Sequence, residues 1–327
     1  MLRKDLLAFL DVCGMPTPRE LLDDAKKVLI VDDDARFLRA MNRALTTLGP
    51  TLDVETCNSG VEALMRIGAD PPDFVLLDIL MPGVDGVELG TRVVVDPSLA
   101  YSWYDGVASG EKIASPEFRI IGEHTQGGFA EYCVVPAENL LEIPEGVEYQ
   151  RAAAASLVSV TAWRGLMTRG CLRAGERVLV TGASGGVSTM AIQIARMAGA
   201  EVFAITSGPE NAARVRELGA HVVYDRKEED WGKQLYQDTK KAGVDLVFDS
   251  VGEAVWPQCL KALNVRGRLV TYGATTGAKG ETEIRLVFWK QLSILGSTMG
   301  SPKEYRTVMD LVFQGVLNPV IHAAFPL

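Results

Sequence analysis

A glycine-rich turn is the first segment of this sequence whose residue types could do chemistry. It reads TGASGGVS from Thr181 to Ser188, follows the apolar run RVLV, and precedes a helix predicted to begin near Thr189. Glycines allow a tight turn and a close approach to a pyrophosphate, while a helix N-terminus offers N–H groups to its charge. Ser188 stands where the usual pattern has a third glycine. The turn predicts a dinucleotide site; a purely structural turn is the alternative. The candidate residues within it are Gly182, Ser184, Gly185 and Gly186.

The end of the next predicted strand indicates which dinucleotide fits. NAD-binding domains of this class carry an acidic residue there, about 20 residues beyond the glycines, for the adenosine ribose hydroxyls. Here the strand ends in AITSG, without an acid. A 2′-phosphate would therefore meet no repulsion, and Ser207, Asn211 and Arg214 could donate hydrogen bonds to it. The pattern favours NADP, with NAD as second choice, although Arg214 fits equally well as a solvated helix charge.

Three carboxylates form a second candidate site. Asp32 and Asp33 end the apolar run VLIV, and Asp78 ends FVLL. Adjacent parallel strands would bring the three together at their carboxyl ends, where a hard cation such as Mg²⁺ relieves their repulsion. The pattern predicts a phosphoryl-accepting, Mg²⁺-binding cluster. The alternative is that these aspartates cap the following helices.

The elements that position these residues form two alternating strand–helix series. The first begins at Lys27 and contains KVLIVDDD, TLDVET and DFVLLDIL as strands, with the predicted helices FLRAMNRALTTLG and GVEALMRIG between them. Short β-type runs, TRVVVDP, FAEYCVVP and LLEIP, follow. After the helical AAAASLVSVTAWRGLMTRG comes a series with six strands: RVLVTG, EVFAITS, HVVYD, VDLVFDSV, RLVTYGA and LSILGST.

These patterns predict an α/β fold with three parts. They are a six-stranded doubly wound Rossmann domain, a partial β-barrel-like domain and an N-terminal half flavodoxin-like unit. The predicted boundaries are 1–25 for an N-terminal helical segment, 26–89 for the half unit, 90–150 for the partial barrel, 151–317 for the Rossmann domain and 318–327 for a truncated tail.

Composition excludes several classes of function. The 327 residues suffice for two domains of about 150 residues, and the formal charge of −9 disfavours binding to nucleic acid. Five scattered cysteines predict neither a disulfide framework nor a zinc knuckle, which indicates a reducing, cytoplasmic setting. The longest uncharged run, 178–195, contains the glycine turn, so no membrane span is expected.

Residues from about 82 to 327 resemble the medium-chain dehydrogenase/reductase superfamily, in its alcohol dehydrogenase and quinone oxidoreductase branch. The matching phrases are GTRVVV, GGFAEYCVVP, AAAASLVSVTAW, the glycine turn, FDSVG and QLSILGSTM. The resemblance implies a partial GroES-like catalytic domain beside the Rossmann domain, truncated at both ends. It places Thr161, Val187 and Gly273 in the dinucleotide site, beside Ser207 and the glycines, and implies a homodimer paired through the sixth Rossmann strand.

The resemblance also bears on metal and catalysis. Zinc-dependent members have a Cys and a His-Glu pair early in the catalytic domain and four close cysteines in a structural lobe, and neither set occurs here. A later ligand position falls near Leu157. No zinc is therefore expected. His124, in a loop that the family places near the substrate, is the candidate acid or base, with a solvated polar residue as the alternative.

Residues 26–89 resemble the first half of a response-regulator receiver domain. The phrases KVLIVDDDARFLRAM, NSGVEAL and DFVLLDILMPGVDGVEL carry the resemblance, which implies Asp78 as phosphoacceptor and Asp32 with Asp33 as metal ligands. The phrase at 82–89 fits both families. The chain is thus interpreted as a chimera, and its third strand would form an open hydrophobic edge.

The sequence leaves three functions open. The first is an NAD(P)-dependent, zinc-independent oxidoreductase, intact or impaired, that transfers hydride to or from a small alcohol, carbonyl or enone. The second is a phosphorelay or nucleotide-sensing protein of the response-regulator kind. The third is a non-functional fusion.

Overall fold

The computed structural model describes most of the chain from Lys27 onwards. The described residues are 27–32, 35–48, 52–58, 63, 66, 70, 72, 74–77, 91–99, 118–130, 133, 135–227 and 230–325. The predicted helical segment 1–25, the phrase at 82–89, Asp33, Asp78 and residues 326–327 lie outside them. Two compact units divide the chain, one ending at Thr91 and the other beginning at Arg92.

The first unit contains a three-stranded parallel sheet. Its elements are β1 (Lys27–Val31), α1 (Ala35–Leu48), β2 (Asp53–Cys57) and β3 (Phe74–Leu77). The strand order is β2-β1-β3, and Val31 pairs with both Cys57 and Leu77. Residues 28–31 of β1 are at most 1% exposed, because side chains cover the central strand of a parallel sheet on both faces. In this order β3 lies at one edge of the described sheet, as the sequence predicts for its third strand.

The described residues at the start of the second unit form four short strands. They are β4 (Val93–Val95), β5 (Ser98–Leu99), β6 (Arg119–Ile120) and β7 (Leu140–Glu142). β4 pairs antiparallel with β7, and β5 with β6. The strand predicted in FAEYCVVP is wrong for its described residues. Phe129 lies in a bend after two glycines and is 98% exposed, so no sheet face buries it.

The remainder of the second unit is the predicted Rossmann domain. Its strands are β8 (Arg177–Val180), β9 (Glu201–Thr206), β10 (Val222–Asp225), β11 (Val244–Asp249), β12 (Leu263–Thr271) and β13 (Ser293–Gly296). Its helices are α2 (Tyr149–Trp163), α3 (Gly186–Met197), α4 (Pro209–Glu217), α5 (Trp231–Asp238), α6 (Trp256–Ala262), α7 (Ile284–Trp289) and α8 (Pro302–Phe313). The parallel strand order is β10-β9-β8-β11-β12-β13. This confirms all six predicted strands.

Two apolar cores fill the two faces of this sheet. Val178 and Val180 of β8 belong to the larger core, with α2, α3 and α8. Leu179 between them belongs to the other core, with α5 and α6. Both faces are covered, so β8 is a continuous apolar run rather than an alternating one. Among the described helices, none has the length and apolar content that a membrane span requires.

The predicted helix at 152–170 is not uniform. After α2 the chain continues as a π-helix over Arg164–Arg169, and Gly170 N–H donates to Gly165 O at 2.9 Å. A side chain at Gly165 would collide with the ring of Phe248 on β11, and one at Gly170 would collide with Leu246. Both glycines let the helix lie directly on the sheet, which the helical periodicity did not reveal.

A buried polar network fastens β4 and β5 to the Rossmann domain. Asp96 accepts from Ser98 N–H at 2.9 Å, and Asn139 Nδ2 donates to the carbonyls of Asp96 and Ser98 at 2.7 and 2.9 Å. Ser156 Oγ on α2 donates to Val95 O at 2.7 Å and lies 3.0 Å from the hydroxyl of Tyr305 on α8. The short strands are therefore held by side chains as well as by their own ladders.

The carboxyl group of Asp96 predicts a pH dependence of stability. Asp96 is 4% exposed, and burial raises its pKa to about 6. The folded state thus holds a proton that the unfolded chain releases, and this contribution to stability falls as pH rises from about 4 to about 6. In the parent chain this proton contributes a fall in the free energy of unfolding on the order of 2 kcal/mol over this window, and we expect Asp96→Asn to lack that fall. Urea unfolding at pH 4.5 and pH 7 measures it.

Asp310→Asn, on the exposed face of α8, is the control for this measurement. In this variant the difference in the free energy of unfolding between pH 4.5 and pH 7 should equal that of the parent chain. An Asp96→Asn variant with an unaltered pH difference would show that the buried carboxyl does not hold its proton.

Candidate functional site

The glycine turn lies where the order of the strands reverses. It joins β8 to α3, and β8 lies between β9 on one side and β11 on the other. In open parallel sheets, ligands bind in the crevice at the carboxyl ends of the strands at this reversal point. The topology therefore places the predicted turn where a dinucleotide would bind.

The backbone of the turn is shaped for close approach by a ligand. Gly182 has φ +52°, and its carbonyl accepts from Gly185 N–H at 2.9 Å. A β-carbon on Gly185 would lie 3.3 Å from that carbonyl oxygen, and one on Gly186 would lie 3.1 Å from Val158 Cγ1. Gly185 and Gly186 are exposed, as is Ser184. The turn is thus a small cradle, open to solvent, that side chains would fill.

α3 begins at Gly186, three residues before the predicted start near Thr189. Gly185 is its N-cap and provides no side-chain hydrogen bond. Gly186 therefore takes the first helical position, and Val187 and Ser188 follow it in the first turn. The first N–H groups of a helix have no partner within it, and a bare cap leaves them available to a negatively charged ligand.

Ser188 replaces the third glycine by making hydrogen bonds of its own. It is 1% exposed, its Oγ donates to Thr181 O at 3.0 Å, and the same atom lies 2.9 Å from the hydroxyl of Tyr272. Tyr272 stacks on Phe248 with ring centroids 4.2 Å apart. No sequence pattern indicated Tyr272, because its position after β12 becomes meaningful only when β8 and β12 share a sheet.

Of the three residues predicted at the 2′-phosphate end, Ser207 and Asn211 are in contact, whereas Arg214 lies beside Glu210. Asn211 Nδ2 donates to Ser207 O at 3.0 Å, which uses part of its donor capacity on the first turn of α4. Arg214 lies further along α4, where its guanidinium is 4.0 Å from the carboxylate of Glu210. Ser207 itself lies directly after β9, at the carboxyl edge of the sheet.

Arg226 is a positive group at this edge that the sequence analysis missed. Its Nε donates to Ser207 Oγ at 2.6 Å, and its backbone N–H donates to Thr206 O at 3.0 Å. Asp225, before it, accepts from Gly208 N–H at 2.7 Å. Hydrogen bonds from the backbone of Lys227 and Gly208 lower the pKa of Asp225. The sequence signal for this group is an arginine directly after β10. Asp225 pairs with Thr206 in the parallel ladder, so the residues that follow them, Arg226 and Ser207, lie side by side.

Two further predicted residues, Gly273 and Thr161, lie in the described part of the Rossmann domain, and the hydroxyl of Thr161 is already bonded. Gly182 and Gly273 both pack on the segment after β11, because β-carbons there would lie 3.3 Å from Val251 Cγ2 and 3.2 Å from Ser250 O. Thr161 on α2 is 6% exposed, and its hydroxyl donates to Leu157 O at 2.9 Å. The hydroxyl of Thr161 is thus already bonded within α2, and its place in the dinucleotide site stays a prediction.

His124 lies in an exposed turn after β6. Its Nδ1 accepts from Ile120 N–H at 3.1 Å. A neutral imidazole that accepts at Nδ1 carries its hydrogen on Nε2. This hydrogen bond does not use Nε2, and the role of His124 as an acid or base stays a prediction.

The acidic cluster is described only at Asp32. This residue follows β1, is 8% exposed, and its N–H donates to Cys57 O at 3.1 Å. The neighbouring strands β1 and β3 are parallel, as the Mg²⁺ hypothesis requires. In the part of the chain that the structure describes, no three metal-ligating side chains come together. Because Asp33 and Asp78 are not among those residues, the metal assignment stays a prediction.

Comparison with known protein families matches three segments. A zinc-binding dehydrogenase model matches residues 186–314, and an alcohol dehydrogenase GroES-like domain model matches 78–145. A response regulator receiver domain model matches 28–100. The last two overlap at 78–100, a stretch that includes the phrase at 82–89 predicted to fit both families.

Similar proteins extend the match over most of the chain. An acryloyl-coenzyme A reductase of Sulfurisphaera tokodaii is 31% identical over 73% of this chain and 70% of its own length. A solved NAD-dependent alcohol dehydrogenase is 37% identical with a TM-score of 0.67, covering 73% of this chain and 70% of that one. A 2-octenoyl-CoA carboxylase reductase solved with NADP and 2-octenoyl-CoA is 27% identical, with a TM-score of 0.64. The similarity covers 70% of this chain and 56% of that one.

Fold and site together define a doubly wound dinucleotide-binding domain joined to short strands of a second domain. The chain belongs to the medium-chain dehydrogenase/reductase family of oxidoreductases and carries a receiver-like segment before it. The resemblance predicted from the sequence is confirmed in both parts.

Proposed function

We propose that this protein is an NADP-dependent, zinc-independent oxidoreductase that acts on a small alcohol, carbonyl or enone. The observation that carries the proposal is the glycine turn at the reversal point of the sheet, with its bare N-cap and open cradle. When bound, the nicotinamide supplies the hydride chemistry. The residues of this chain bind and orient it.

Each end of the proposed cofactor has a matching part of the protein. The N–H groups at the start of α3 receive the pyrophosphate, and the crevice at Gly182 and Gly273 extends towards the neighbouring strands. The adenosine end lies at Ser207, where Arg226 supplies a positive charge 2.6 Å from the serine hydroxyl. Arg214 and Asn211 remain candidates at the same end. A relative solved with NADP supports this choice, and an NAD-dependent relative makes NAD the second candidate.

The first experiment compares NADPH and NADH by thermal denaturation. At about a hundred times its Kd, NADPH should raise the Tm by roughly 5 °C or more, and NADH should raise it less at the same concentration. Arg226→Gln should weaken NADPH binding about tenfold and leave NADH within about twofold, because it removes one charged donor to the 2′-phosphate. A larger shift with NADH would contradict the proposal.

Arg285→Gln is the matched control, since this arginine is 83% exposed on α7 and its loss changes the net charge equally. It should leave the affinity for NADPH at the parent value. Arg214→Gln, measured in parallel, separates the two candidate arginines at the adenosine end.

Zinc independence rests on the ligand positions themselves. Leu157, at the position expected for a later catalytic ligand, has a hydrocarbon side chain that cannot bind a metal. None of the described cysteines, Cys57, Cys133, Cys171 and Cys259, is in a disulfide, and two of them are buried. We infer a cytoplasmic, reducing setting, in which thiols stay reduced.

We also infer a homodimer joined through β13. This strand lies at one edge of the six-stranded sheet, and parallel sheets leave such an edge with unpaired backbone groups. Large apolar side chains are exposed nearby, with Trp289 81% and Phe288 62% exposed on α7. Pairing with a second copy would cover both the edge and these side chains.

A signalling or nucleotide-sensing role is the second candidate, favoured by the receiver match over 28–100. In that case Asp78 would be the phosphoacceptor, and Asp32 with Asp33 would hold Mg²⁺. Assay of the NADPH-loaded protein with alcohols, carbonyls and enones separates the two functions. Consumption of NADPH supports the oxidoreductase, whereas tight binding without turnover favours the sensor.

A further inference from the structure

A buried carboxylate lies beside the glycine turn, at the end of the adjacent strand. Asp249 ends β11 and is 0% exposed. Its Oδ1 accepts from Thr181 Oγ1 at 2.5 Å and from Val251 N–H at 3.1 Å, and its Oδ2 accepts from Gly252 N–H at 3.1 Å. Burial raises the pKa of Asp249. One side chain thus joins the first residue of the turn to the segment after β11.

Thr181 is held from several directions. Its N–H donates to Phe248 O at 3.1 Å, its carbonyl accepts from Ser188 Oγ at 3.0 Å, and its hydroxyl donates to Asp249. The hydroxyl is the group that a substitution of Thr181 itself can remove, and its loss leaves the backbone hydrogen bond to Phe248 in place. It is therefore the place where a substitution can loosen the turn and leave the sheet intact.

The contacts continue from Asp249 to the glycines. Val251, whose N–H is bound by Asp249, lies against Gly182, where a β-carbon would be 3.3 Å from Val251 Cγ2. The carbonyl of Gly182 in turn accepts from Gly185 N–H, the N-cap of α3. Asp249 therefore supports the turn both through the Thr181 hydroxyl and through the wall that Val251 forms.

We propose that Asp249 and the Thr181 hydroxyl form a positioning pair that holds the glycine turn in the conformation that receives the pyrophosphate. Neither group needs to touch the ligand, because Asp249 is fully buried. The inference rests on the proposed dinucleotide-binding function and deepens it. If the turn became ordered only on binding, the lost conformational entropy would weaken the affinity for the dinucleotide roughly tenfold for each backbone residue fixed. A turn that is already ordered avoids this loss.

Thr181→Val and Thr181→Ser test the pair, because valine keeps the shape and loses the hydroxyl while serine retains the hydroxyl. Binding of NADPH and of adenosine 2′-monophosphate, which has the adenosine end but no pyrophosphate, is measured by calorimetry. We expect Thr181→Val to weaken NADPH about tenfold and to leave adenosine 2′-monophosphate within about twofold. Thr181→Ser should bind both ligands like the parent chain.

Asp249→Asn is the second variant. In either orientation of the new amide, its NH₂ group faces the N–H of Val251 or of Gly252, and two donors cannot form a hydrogen bond. We therefore expect the same selective loss of NADPH affinity as in Thr181→Val. Unchanged NADPH affinity in both Thr181→Val and Asp249→Asn overturns the positioning role. Equal weakening of both ligands also overturns it, since that pattern reports a general structural defect. A parent chain that binds neither ligand overturns the proposed function itself, and the positioning role with it.

Discussion

Gly185→Asp should weaken NADPH binding at least about a hundredfold. The substitution places a carboxylate at the N-cap of α3, where the proposed pyrophosphate would lie. Two like charges about 4 Å apart repel by roughly 4 kcal/mol at the dielectric of a protein surface, which is more than a hundredfold in affinity. The new β-carbon would also lie 3.3 Å from Gly182 O and narrow the cradle.

The variant should nevertheless fold. Gly185 has φ −74° and ψ 154°, a conformation that any residue adopts, and aspartate is a preferred N-cap. Loss of binding with an equal or higher Tm would therefore report the site rather than unfolding. Gly185→Ala is the control, because it adds the β-carbon without the charge and should lose less affinity. Calorimetric titration of all three proteins with NADPH decides the matter, and unaltered affinity in Gly185→Asp would mean that the turn is only structural.

Phe248→Ala should lower the free energy of unfolding by about 3–5 kcal/mol. Phe248 is 0% exposed in the middle of the sheet, stacks on Tyr272 and fills the space left by Gly165. Removing the ring leaves a cavity that a covered parallel sheet cannot close by small shifts. Loss of the stack adds to this cost.

Phe129→Ala is the matched control, since Phe129 is 98% exposed and the same atoms are removed. It should alter the free energy of unfolding by no more than about 0.5 kcal/mol. Urea denaturation followed by tryptophan fluorescence measures both variants. A cost below about 1 kcal/mol for Phe248→Ala would show that the two faces of the sheet repack around the missing ring.

The strands and helices of the Rossmann domain can be predicted from local residue patterns. Apolar runs such as RVLV are short, bounded by polar or glycine residues and separated by amphipathic segments, and this local pattern is set by burial on both faces of a sheet. The glycine turn could also be predicted, because the close approach of its backbone to a pyrophosphate depends on residues adjacent in the chain. The resemblance of the first segment to a receiver domain likewise rests on residues close together in the chain.

Which side chains contact one another depends on the three-dimensional fold. Arg226 reaches Ser207, 19 residues away, because β9 and β10 end side by side in the sheet. Ser188 meets Tyr272 across 84 residues, and Thr181 meets Asp249 across 68. Such contacts depend on strand order and register, which local periodicity does not encode. The sequence therefore locates the turn, whereas strand order brings Asp249 and Tyr272 to that turn and places Arg226 beside Ser207.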